Sequence, residues 1–137
     1  MKHKSKSKNI KMEMSMAEMK EIARQLKIQT GVCKRLTKDV SSYEKEGAEE
    51  KAQVDALADA AGAADEEAQC RLRQAREALA ETQAMVEDSR RRLDEALPRL
   101  EAALAAAKDK LAAELAADIA AAETVLADAR KVVGSSC

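Results

Sequence analysis

The stretch that decides the fold is residues 68–107, AQCRLRQAREALAETQAMVEDSRRRLDEALPRLEAALAAA. Ala68, Leu72, Ala75, Leu79, Thr82, Val86, Ser89, Leu93, Ala96, Leu100, Ala103 and Ala107 recur by fours and threes. Spacing of 3.5 residues returns each of these side chains to one side of a helix, and a narrow seam of that kind is buried against other helices. One proline falls inside it. Pro98 removes a backbone donor and its ring meets the carbonyl of Asp94, so a kink costing about 3 kcal/mol is expected there.

The same rhythm extends in both directions. Upstream, Cys33, Leu36, Val40, Tyr43, Gly47, Glu50, Val54, Leu57 and Ala61 form a seam flawed by Gln29, Gly47 and Glu50. Gly47 costs up to about 1 kcal/mol relative to alanine. Downstream, Leu111, Leu115, Ile119, Ala122, Leu126, Ala129 and Val133 form a third seam that ends at Gly134. Ser15 and Glu18 have capping-box spacing for the first helix. Gly62 offers a left-handed stop and Asp65 an N-cap for the second helix. Between the second and third seams no residue forces a turn; Asp109 is the best cap available and places the turn near residues 105–109. The expected helices are residues 16–61, 65–105 and 110–133, within a bundle spanning residues 15–134. Residues 1–14, rich in Lys, Ser and Met, read as a disordered basic tail. The fold class is all-α: an elongated, antiparallel, left-handed three-helix bundle of coiled-coil type.

Composition agrees with long helices and a thin core. The 137-residue chain has no Trp or Phe, one Tyr, abundant Ala and 36% charged residues. That is the signature of coiled coils rather than of an aromatic globular core. No run approaches the roughly 20 apolar residues that span a bilayer. The basic start precedes no apolar stretch, so no signal peptide is expected. Cys33, Cys70 and Cys137 are odd in number and far apart, and the sole histidine is His3. Neither a disulfide framework nor a zinc site follows, and a cytosolic or nuclear setting fits.

Net charge is −1 but unevenly placed. Residues 1–45 hold 12 Lys/Arg against 5 Asp/Glu, a balance of +7; the other 12 basic and 20 acidic residues leave −8. Such a split favours internal pairing or an acidic partner for the basic end.

Catalysis is not expected. Phosphate loops and dinucleotide-binding glycines are absent, and no nucleophile has a histidine base nearby. Acidic pairs such as Glu49-Glu50 are adjacent on a helix and project apart. The basic tail lacks arginine and aromatic residues for stacking on bases, so nucleic acid is not an expected partner. Alanine-rich faces are poor membrane anchors, so neither is a lipid surface. No cofactor or metal is called for.

Residues 26–46, LKIQTGVCKRLTKDVSSYEKE, carry a more specific signal. Ile28, Thr30-Gly31-Val32, Lys34-Arg35-Leu36 and Tyr43-Glu44-Lys45-Glu46 resemble the first-helix signature of the tubulin-binding cofactor A family. Arg91-Arg92-Leu93-Asp94, within Glu77–Glu95, resembles its second helix. The likeness covers residues 23 to about 104 and reaches the third helix by pattern only. The family usually begins near Met16-Ala17-Glu18, and it often has proline where this chain has Glu87.

The resemblance implies a three-helix chaperone that binds β-tubulin after release from the cytosolic chaperonin. It would hold β-tubulin for α/β heterodimer assembly alongside other tubulin-folding cofactors, without hydrolysing nucleotide. A cytoplasmic, cytoskeleton-associated monomer or homodimer is then expected. The alternative is a self-associating structural coiled coil. With Cys33, Leu36, Val40 and Tyr43 facing inward, Lys34, Arg35, Lys38 and Lys45 fall on the outer face of the first helix. Arg91 lies outward on the second. These five are the expected partner-binding residues.

Overall fold

A computed structural model describes residues 14–62 and 65–134. The expected basic tail lies outside them except for Met14. Three helices follow in order: α1 (Met16–Ala60), α2 (Glu66–Leu111) and α3 (Ala116–Gly134). They form an all-α bundle.

The seams become the buried sides. Cys33, Val40 and Val54 of α1 are buried, as are Leu72, Thr82, Ser89, Leu93, Ala96, Leu100 and Ala107 of α2. Ile119, Ala122, Leu126 and Ala129 of α3 complete the interior. Alanine and serine at these layers let helices approach closely, but each buries little apolar area.

Two caps anchor helix starts as their side chains dictate. The Ser15 hydroxyl accepts from the Glu18 amide at 3.1 Å, and the Asp65 carboxylate accepts from the Ala68 amide at 3.1 Å. Each satisfies one amide that the helix itself leaves without an acceptor.

Two boundary expectations need correction. Gly62 is not a left-handed stop, since no described glycine has positive φ. Instead the chain leaves α1 by turning extended at Ala61 (φ −76°, ψ 121°), whose amide still donates to the Leu57 carbonyl. The Gly62 carbonyl then accepts from the Asp65 amide and from Gln69 Nε2, both at 3.2 Å, which ties the turn to the start of α2.

The second correction concerns the turn near residues 105–109. Asp109 lies inside α2, which runs on to Leu111, and the turn occupies residues 112–115. Cross-helix ion pairs mark the register of the hairpin. Lys108 Nζ meets Glu123 Oε2 at 3.0 Å, and Arg130 Nη2 meets Glu101 Oε1 at 3.4 Å. Seven residues back along α2 match seven forward along α3, so the hairpin is in register about residue 115. Leu111 and Ile119 are both buried at its base. Tertiary packing, not a local breaker, sets this turn.

The helices differ in reach. At about 1.5 Å per residue, α1 and α2 are each about 68 Å long and α3 about 28 Å. The main core therefore gathers at one end, where Leu26, Cys33, Leu93, Leu97, Leu100, Leu104, Ala107 and α3 pack together. Toward Val54 and Leu72 the structure narrows to the α1–α2 hairpin. Pro98 sits on the exposed side of α2, and the helix continues through it.

Candidate interaction face on the first helix

The described residues present helix faces to solvent that are lined mostly by charged and small side chains. They contain no group of three or more His, Cys, Asp or Glu placed to hold a metal ion. No described helix is long and apolar enough to cross a membrane. The surface grooves are shallow seams between helices, such as one lined by Ile22, Gln25, Gln29, Arg99, Ala102 and Ala103. What remains is the charge and shape of helix faces.

The face of α1 opposite the core is the most distinctive. Between Ile22 and Lys38 there is no acidic residue, while Arg24, Lys27, Lys34, Arg35 and Lys38 are all present and all exposed. At 100° per residue, these five cations fall within about 60° of Gly31 around the helix. Lys20 and Lys45 extend the stripe at either end, over about 37 Å. Beyond Lys45 the same face turns acidic with Glu46 and Glu49.

Pairing within the chain leaves most of this charge uncompensated. Arg24 is paired with Glu21 at 3.1 Å. Gln25 and Arg24 both hydrogen-bond Glu21, and this holds its carboxyl below the usual carboxylate range. Lys27, Lys34, Arg35, Lys38 and Lys45 have no ion-pair partner among the described residues. Arg91 behaves differently. It belongs to α2 and meets Asp88 at 2.6 Å, a carboxylate that also takes Arg92 at 3.1 Å. The structure thus brings Lys34, Arg35, Lys38 and Lys45 onto one stripe and leaves Arg91 outside it, locally neutralised.

The sequence model of the family described as Tubulin binding cofactor A matches residues 21–134, which takes in nearly all of the three helices. The chain belongs to that family. It is also 34% identical to the rabbit (Oryctolagus cuniculus) tubulin-specific chaperone A over 91 residues, 66% of this chain and 80% of the relative. The crystal structure of tubulin folding cofactor A from Arabidopsis thaliana superposes with a TM-score of 0.63 at 33% identity. That match covers 81% of this chain and 97% of the plant protein.

In this member of the tubulin binding cofactor A family, two features of the stripe go beyond its named cations. Ile28 is 40% exposed in the middle of the basic run. Gly31 lies beside it, and a Cβ built there meets no atom within 4 Å. Lys20, Arg24 and Lys27 also belong to the face. They were detectable in the sequence, since Lys20, Arg24, Lys27, Gly31, Lys34 and Lys38 follow a four-three rhythm of their own, out of phase with the buried seam.

Proposed function

We propose that the protein is a tubulin-folding chaperone that binds and holds β-tubulin after its release from the chaperonin, for assembly into the α/β heterodimer. Other tubulin-folding cofactors then act on the complex, and the protein needs no nucleotide or metal of its own. The contact we assign is the outer face of α1, with Lys34, Arg35, Lys38 and Lys45 as its charged residues; Arg91 would contribute only by leaving Asp88. The observation that carries the reading is this uncompensated basic stripe on a chain of the tubulin binding cofactor A family. A field of one sign steers an acidic partner and raises its association rate, and tubulin is acidic. Working in the cytoplasm beside the cytoskeleton follows from the same role.

The test is capture of soluble β-tubulin by the purified protein, followed by native gel mobility. A stoichiometric complex is expected, and free β-tubulin at micromolar protein would reject the proposal. A second reading, self-association as a structural coiled coil, draws on the distal hairpin. There α3 covers nothing, and Met85 is 43% exposed. Mass in solution separates the two: extended oligomers favour self-association, and a monomer or compact dimer favours the chaperone.

A further inference from the structure

Gly31 weakens the helix that contains it and gains nothing inside the chain. It lies about a third of the way along one of the two long helices, is exposed, has no positive φ, and faces open space where a side chain would be. Gly47 provides the internal contrast. A Cβ there would lie 3.6 Å from Thr82 Cγ2, in the seam between α1 and α2. The fold therefore gives a packing context to one helical glycine and none to the other.

The surroundings of Gly31 describe what would use it. Arg24, Lys27, Lys34 and Lys38 run past it along the axis with four-three spacing, which is the spacing that another helix lying alongside can match. Ile28 supplies an exposed apolar side chain next to the gap. A position without Cβ lets a second backbone come closer than any other residue allows.

We infer that Gly31 is the close-approach point for an acidic helix of the captured client. That helix lies along α1 with its carboxylates on the flanking cations and an apolar residue against Ile28. The inference rests on the chaperone reading and specifies the shape of its contact. Small size at position 31 sets how near the two helices come, and the cations set which helix is admitted.

The experiment compares Gly31→Ala with Gly47→Ala in the full chain, measuring thermal melts and the affinity for purified β-tubulin. Both substitutions replace a helical glycine by the best helix former, so both are expected to melt a few degrees higher. Gly31→Ala is expected to bind β-tubulin about tenfold more weakly, the effect of overfilling a packed contact. Gly47→Ala should bind as the wild type does, and Gly31→Leu should bind more weakly than Gly31→Ala. Wild-type affinity in Gly31→Ala would overturn the inference and leave the chaperone reading intact. Equal weakening in both variants would also overturn it, since general stiffening of α1 would then be the cause. Absence of capture by the wild type would remove both the inference and the reading on which it rests.

Discussion

Arg90 on α2 donates through Nη2 to Glu44 Oε2 on α1 across 2.7 Å, joining the two long helices near the middle of their hairpin. The pair is partly buried, with side chains 20% and 39% exposed, and Arg90 Nε is buried without a partner. Such a pair gains little over an apolar replacement but is costly to break from one side, because the remaining charge stays half out of water.

Glu44→Ala is therefore expected to destabilise the protein by about 1–2 kcal/mol, seen as a fall of several degrees in Tm. The double variant Glu44→Ala with Arg90→Met should recover most of that loss. A double variant as unstable as the sum of its single changes would show that the guanidinium stem packs in a way a methionine cannot.

Pro98→Ala should raise stability. It restores the amide that can donate to the Asp94 carbonyl, and alanine suits a helix interior. Both positions are exposed, so water already satisfies that carbonyl in part. Proline also limits the unfolded chain, so the net gain is expected to be about 1–2 kcal/mol rather than the full cost of a helical proline. A lower Tm would mean that neighbouring Ala96, Leu97 and Leu100 depend on a bend that proline provides.

The thiols separate by burial. Cys33 is fully enclosed, and burial pushes its pKa up, whereas Cys70 is exposed. A thiolate is the reactive species, so raising the pKa and blocking access both slow attack at mildly alkaline pH. In a Cys137→Ser background, a thiol-specific dye should label one cysteine rapidly in the native protein and two in denaturant. Two rapid thiols without denaturant would show that α1 opens at the level of Cys33.

Much of this architecture was legible because a four-three rhythm is a direct consequence of burial. Every seam position from Ala68 to Ala107 is buried or half-buried, and both side-chain caps act as their residue types suggest. Leu97 and Leu104 escaped a reading that followed a single seam. They form a second row with Leu111, spaced by seven, and face the space that α3 fills. The turn at residues 112–115 escaped because Ala-rich segments permit helix everywhere, so its place is set by the packing of Leu104 and Ala107 against Ile119, Ala122 and Leu126, with the Lys108–Glu123 and Glu101–Arg130 pairs in register beside it. On the outer face, cations stood out in the sequence. The open space around Gly31 did not, since a lone glycine looks the same whether a neighbour crowds it or nothing is there.

The role of the outer face of α1 is tested by capture of β-tubulin by the wild type and by Lys34→Glu with Lys38→Glu, across a range of salt. Both residues are exposed and without ion-pair partners, so the melt should shift by no more than about 0.5 kcal/mol of stability. Charge at an interface rim acts mainly on association and is screened over about 10 Å at 0.1 M salt. The double reversal is expected to capture β-tubulin much more slowly at low salt, with the gap narrowing as salt rises. Capture at the wild-type rate in low salt would contradict that role and would move the contact away from the outer face of α1.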